Sequence, residues 1–270
     1  MKLFINFNDE ERFRPKVKHL EHIDFSLFLD TIPKSINDLS AINIMVLAEP
    51  NEYFRLHDWV IKNKDIFSVI LTYNDKILNT CDNALYFPFS FTFLKPEQYQ
   101  TEYKKDFKLS HLCGILLKSY GHQLRHEILD RENEFKIPTK FFKTIGDRHK
   151  LDTVGEDKIK VFGDAQYGIV IENFSHRGYF SEKLIDCFLM KTIPVYWGCS
   201  NIGDFFNING IINFQNVDDI IFYLNNIDES HYDSYKEAIK ENYQTALNYI
   251  NYEERIINQI ENIFKYNNLI

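Results

Sequence analysis

Short apolar runs rich in β-branched and aromatic residues alternate along the chain with stretches whose apolar positions recur every three to four residues. That alternation is the mark of an α/β protein built on parallel sheet. In the first third, residues 3–7, 42–47 and 68–72 read as strands, and 56–64 as the helix joining the second to the third. A Pro- and Phe-rich edge follows at 84–94, and 95–108 is polar and charged without an apolar period, which predicts a domain boundary. The second half repeats the rhythm. Strands are predicted at 112–117, 168–171, 193–196 and 210–214, and helices at 121–131 and 181–190. Leu124, Ile128 and Leu129 share one face of the first of these helices. Asp218 or Asp219 is predicted to cap the helix running through IIFYLNN, and 232–266 is helical throughout. The segment 9–40 shows no readable motif.

Two Rossmann-like halves fit this order, residues 1–105 and 106–270, both within the usual size of a domain. The 270 residues suffice for a sizeable core, and 44% hydrophobic with 26% charged residues is ordinary globular composition. Lys and Arg number 31 against 39 Asp and Glu, a net charge of −8. Such a field repels a polyanion, so nucleic acid is excluded as a general partner while a local basic pocket for a small phosphorylated ligand is not. Cys81, Cys113, Cys187 and Cys199 are scattered without a CxxC pair and are expected to be buried free thiols. The N-terminal apolar run breaks into charge at Asp9, too short for a signal-peptide core, and no run approaches the roughly 18 residues of a membrane span. The expectation is a cytoplasmic protein with no integral membrane segment.

The usual fingerprints are missing. The sequence contains no GxxxxGK[ST], GxGxxG, HExxH or GxSxG. His122 and His126 are spaced i,i+4 on a predicted helix, but no third ligand is near, so packed or solvated histidines are expected rather than a metal site. Asp-x-Asp occurs nowhere, so any nucleotide diphosphate must be neutralised by protein cations and helix ends.

The most informative stretch is YGIVIENFSHRGYFSEKLIDCFLMKTIPVYWGCSNIG, residues 167–203. It reads as a βαβ unit: a buried strand ending in Glu172-Asn173, a loop carrying His176 to Tyr179, Ser181 as helix cap, then a returning strand. Ligands of doubly wound sheets sit outside the carboxyl ends of strands, against helix N-termini. Lys183 in the first turn opposes the helix dipole, which makes sense if it shares an anion with the free N–H groups there. A solvated Glu182–Lys183 pair is the alternative.

The same stretch resembles the signature of the family 10 glycosyltransferases, the α-1,3/1,4-fucosyltransferases. The matching residues are Glu172-Asn173, Tyr179 to Leu184, Asp186-Cys187-Phe188 and Thr192 to Gly198; Ile171 stands where the family usually has Phe. More thinly, Arg125 in HQLRHEIL is similar in order and spacing to a lone arginine that meets the donor diphosphate in bacterial members. Glu49, at the end of INIMVLA, is similar to the glutamate of a turn that supplies the base, although Pro50 replaces a polar residue there and Glu52 competes for the role.

The resemblance implies a GT-B architecture, two Rossmann-like domains facing a central cleft, with acceptor toward residues 1–105 and nucleotide sugar on 106–270. It implies transfer of L-fucose from GDP-β-L-fucose to a glycan hydroxyl with inversion. Glu49 would be the catalytic base, and Arg125, Glu172, Asn173, Tyr179, Glu182 and Lys183 would bind the donor. No cofactor or bound metal is expected, although stimulation by Mn²⁺ or Mg²⁺ would be compatible. A different nucleotide sugar, or a silent sugar-nucleotide or glycan-binding module, stays open as an alternative. The terminal helical region is expected to be structural and to cross back to the first domain. In it Lys236, Lys240, Arg255 and Lys265 are outnumbered by acidic residues, which disfavours an anionic membrane surface.

Overall fold

Strands of a parallel sheet are buried on both faces, so they read as short continuous apolar runs rather than as alternation. Phe25–Leu29 is such a run, every residue buried, and it is a strand inside the segment where no motif was readable. The computed structural model describes residues 1–5, 10–143 and 157–266. The chain divides into two compact units, Met1–Phe89 with Asn251–Ile270, and Ser90–Ile250.

The first unit carries β1 (Lys2–Ile5), β2 (Phe25–Leu29), β3 (Ile42–Leu47), β4 (Val69–Thr72) and β5 (Ala84–Tyr86), all parallel and adjacent in chain order. Of the strand expected at 3–7, residues 6 and 7 lie outside the described residues. Right-handed crossovers in sequential order set the connecting helices on one face. There Phe28, Met45, Leu47 and Ile70 meet Val60 and Ile77 from the helices His57–Lys62 and Asp75–Thr80. Phe25, of opposite parity to Phe28, meets Phe264 of the last helix, Tyr252–Tyr266, at 5.3 Å between ring centroids. That helix buries Tyr252, Ile256, Ile260 and Phe264 at i,i+4 spacing, and Arg255 donates to the Pro88 carbonyl at 2.7 Å.

The second unit carries β6 (Asp106–Cys113), β7 (Thr139–Lys143), β8 (Ala165–Ile171), β9 (Ile193–Trp197) and β10 (Ile212–Asn213). All are parallel, in the order β10-β9-β8-β6-β7, so the winding reverses between β6 and β8. The helix Glu182–Leu189 runs between β8 and β9 and buries Leu184, Ile185, Phe188 and Leu189, as its spacing predicts.

Three expectations need correction. The strand predicted at 112–117 is β6, six residues earlier in its start; Ser110 and His111 sit buried in it because Ser110 donates to the Tyr167 carbonyl and His111 Nε2 bonds the Arg125 carbonyl oxygen. Ile115, Leu116 and Leu117 are instead exposed loop residues. The division falls at Phe89/Ser90 rather than 105/106, because Leu94 and Tyr99 join the core of Phe180, Leu184 and Phe188, and Asn251–Ile270 joins the first unit through its apolar stripe. The helix Val217–Leu224 is capped by Asn216, whose side chain accepts from Asp219 N–H, leaving Asp218 and Asp219 in its first turn. Cys81, Cys113, Cys187 and Cys199 are buried and free, as expected.

Candidate active site

The reversal at β6/β8 makes the carboxyl ends of these two strands the place where a crevice opens in a doubly wound sheet. After β6, Ser119 caps the helix Tyr120–Asp130, its hydroxyl accepting from His122 N–H at 3.2 Å. Only glycine fits next: a Cβ at Gly121 would stand 1.9 Å from the Glu172 carbonyl oxygen. This close approach brings Arg125, one turn on, against the end of β8. Its Nε and Nη2 donate to the Ile171 carbonyl at 3.1 and 2.5 Å, and Nη2 also donates to Asn173 Oδ1 at 2.8 Å. Arg125 is only 8% exposed, which rules out a helix-surface pairing with Glu127 or Asp130. Arg131 pairs with Glu127, Glu134 and Asp218 instead. Burial lowers the Arg125 pKa, with Glu172 opposing.

After β8, Glu172 is wholly buried and its carboxylate takes the Ser181 N–H at 2.8 Å and the Ser181 hydroxyl at 2.6 Å. Burial raises its pKa, against the pull of Lys183. Gly198 on the far side is again forced, since a Cβ there would lie 2.5 Å from Glu172 Cγ. Ser181 in turn caps the helix Glu182–Leu189, as predicted, and accepts from Lys183 Nζ at 3.1 Å. Lys183 Nζ donates to Glu182 Oε1 at 3.0 Å and lies 3.9 Å from Glu172. For Lys183, burial works against the charge but Glu182 and Glu172 prevail and raise its pKa. For Glu182, burial works upward but Lys183 and Lys158 prevail and lower it. Both stay ionised at neutral pH.

Arg125, Lys158, Glu182 and Lys183 line a cavity of about 190 Å³ floored by Leu112 and Gly114. Lys158, first residue of the helix Lys158–Phe162, is a member sequence reasoning missed, since a lysine opening a short helix follows no motif. Asn173 is half-buried on Arg125, and Tyr179 is 4% exposed, outside the cavity wall but within electrostatic reach of Arg125. His122 is no ligand: Ser119 Oγ and N–H both meet its Nδ1, and burial drops its pKa to about 4. A second cavity, about 500 Å³, lies beyond Trp197 and Asn213 and holds none of the predicted residues.

Glu49 belongs to the first unit. It lies half-buried two residues past β3, with its N–H directed at the Asp30 carboxylate, while Glu52 is exposed in the helical turn Asn51–Phe54. The buried Tyr73, at the end of β4, lies in the field of both glutamates and of Asp30, and Asp30, at the end of β2, lies in that of Glu49. Neither was foreseen; Asp30 ends a strand that had not been recognised. Among the described residues no group of three or more His, Cys, Asp or Glu is placed to hold a metal ion, and no helix is long and apolar enough to cross a membrane.

No family model matches the chain. It is 30% identical over 98 residues to an α-(1,3)-fucosyltransferase of Helicobacter pylori, covering 35% of this chain and 20% of that one. It is 23% identical over 270 residues to a provisionally named fucosyltransferase of Acanthamoeba polyphaga mimivirus, covering 89% and 42%. The chain thus spans less than half the length of these curated relatives. Among solved structures, an α1,3-fucosyltransferase superposes with TM-score 0.60 at 16% identity, over 98% of this chain and 90% of that one. An α1,3-fucosyltransferase solved with GDP-fucose gives 0.59 at 17%, over 97% and 89%. The pneumococcal O-GlcNAc transferase GtfA gives 0.55 at 12%, over 93% and 59%. At these identities the likeness establishes the fold, which is α/β with two Rossmann-like domains of the GT-B class.

Proposed function

We propose that the chain is an inverting glycosyltransferase that moves L-fucose from GDP-β-L-fucose to a hydroxyl of a glycan acceptor in a single displacement. The observation that carries this reading is the set of cations around the cavity at the β6/β8 reversal, Arg125, Lys183 and Lys158, interleaved with Glu182. Arg125 and Lys183 meet the diphosphate, where a guanidinium can bond two phosphate oxygens and Lys183 adds charge at a helix start. Glu182 accepts the ribose hydroxyls, an ionised carboxylate having room for both. Asn173 steadies the Arg125 guanidinium from beside the cavity, and Tyr179 acts on it through its field. Glu172, buried behind Ser181, holds the helix start rather than touching the donor.

Glu49 takes the proton of the acceptor hydroxyl; the hydroxyl oxygen attacks the anomeric carbon; the bond to GDP breaks and its electrons leave on the diphosphate, stabilised by the cations. With cations in the place of an ion, donor binding needs no divalent metal, although a metal can still assist departure. The donor is supported by the structural neighbour solved with GDP-fucose, and the reaction by the names of the two sequence relatives.

A donor screen in chelator tests this: GDP- and UDP-sugars with galactosyl and N-acetylglucosaminyl acceptors, read as released nucleotide. Release from GDP-fucose and not from UDP-sugars is expected. Thermal stabilisation by GDP with no release from any donor would replace the enzyme with a binding module.

A further inference from the structure

We propose that Asp30 is the positioning residue for Glu49, fixing the turn that presents it; this rests on the reading of Glu49 as the base. Leu29 is the last residue of β2, paired with Val46, and the Asp30 N–H extends the ladder to the Val46 carbonyl at 2.9 Å. Asp30 then turns with φ +48°, in the left-handed region that side chains other than glycine rarely occupy. The turn lays its carboxylate across the end of β3. Oδ1 accepts the Ala48 N–H at 3.0 Å, and both oxygens reach the Glu49 N–H, at 3.3 and 3.2 Å. A carboxylate only 3% exposed thus holds two successive peptide groups, on the last step before the base.

On the other side of Glu49 stands Pro50, buried, with φ −57° and ψ 143°. A proline excludes the helical region for the residue before it. Glu49 is therefore held at its N–H by Asp30 and at its carbonyl side by the ring of Pro50, so the backbone that carries its side chain is restrained on both sides. Proline, which looked like a departure from the polar turn of the resembled family, here completes the clamp.

The same arrangement couples the two carboxyls. Burial, and then the charge of Glu49, push the Asp30 carboxyl well above the usual carboxylate range. Two carboxyls so coupled titrate as a pair. A neutral amide at position 30 keeps an oxygen for the peptide N–H groups; alanine keeps none.

The test pairs transfer assays with a ¹³C NMR titration of the side-chain carboxyls in the full chain, with Glu49 assigned by its loss in E49Q. In D30A, which takes both acceptor oxygens from the Ala48 and Glu49 N–H groups, transfer at saturating donor should fall at least about tenfold with GDP affinity unchanged, and D30N, which keeps one oxygen, should recover part of that loss. In E49Q the Asp30 midpoint should fall by at least about half a pH unit; that variant decides alone if the position-30 variants do not fold. Full transfer in D30A or a smaller shift in E49Q overturns the proposal. Full transfer activity in E49Q would overturn the reading of the base, whatever the titration gives, so the two failures are distinguishable.

Discussion

Both sheets are five-stranded and wholly parallel, yet they are wound differently, and their candidate groups differ accordingly. In the second unit the reversal between β6 and β8 sends the following helices to opposite faces, and the loops part to leave a crevice. In the first unit β1 to β5 follow chain order, so each loop lies beside the next, and Asp30 after β2 can reach over to the end of β3. Charge follows winding. Around the crevice Arg125, Lys158 and Lys183 alternate with Glu172 and Glu182, and opposite signs keep Glu182 and Lys183 ionised. At the ends of β2 and β4, burial and the charge of Glu49 raise the pKa values of Asp30 and Tyr73, so acid stands beside acid there. A group that binds a diphosphate needs a permanent charge; a group that removes a proton needs one that can be neutralised.

Substitutions in both units break or sharpen this contrast. The largest effect is expected from Glu49→Gln, which should leave GDP affinity unchanged while transfer at saturating donor falls at least about a hundredfold. If Glu52→Gln does this and Glu49→Gln remains active, the base lies three residues on. Next come Arg125→Ala and Lys183→Ala, each expected to weaken GDP binding by roughly 1.5–3 kcal/mol, the scale of a charged hydrogen bond. Calorimetric titration that finds wild-type affinity in both variants would remove the diphosphate clamp.

The smallest effect concerns Asp186, a carboxylate of the second unit that lacks the crevice's compensation. Its Oδ1 accepts from the Thr92 hydroxyl and Phe93 N–H, but its buried Oδ2 has no hydrogen-bond partner among the described residues. Burial pushes its pKa from 3.8 to about 7, partly offset by Lys158 and Thr92. The folded chain therefore keeps a proton that the unfolded chain releases, so stability should decline as pH rises through the window from about 4 to about 7. Asp186→Asn should flatten that decline. Thermal unfolding at pH 5 and pH 8 reads it; an equal slope in both proteins would show that Asp186 is silent.

Legibility in the sequence followed how local the determinants are. The βαβ unit at 167–203 was readable because its strand, cap, helix and return lie within one continuous stretch, and Ser181 and the buried face of Glu182–Leu189 stand where the spacing requires. Arg125 was found through its order after β6, although β6 itself was displaced by the polar residues it buries. What stayed hidden depends on partners far along the chain. Phe25–Leu29 offers no alternation because both its faces are covered, so Asp30 at its end had no structural address. Lys158 joins Glu182 only through the packing of the helix Lys158–Phe162 on the sheet. The terminal helix was recognised by its period, but that its stripe belongs with β2 is decided by Phe264 on Phe25.

That last pairing sets an order of events during synthesis on the ribosome. The second unit is encoded without interruption and can close its core as soon as it clears the exit tunnel. The first unit emerges earlier yet must wait, with the face that will receive Ile256, Ile260 and Phe264 uncovered until the whole second unit has been made. Nascent chains with such an open apolar face are the form in which aggregation competes with folding. Of the two units, the one begun earlier is the one completed later.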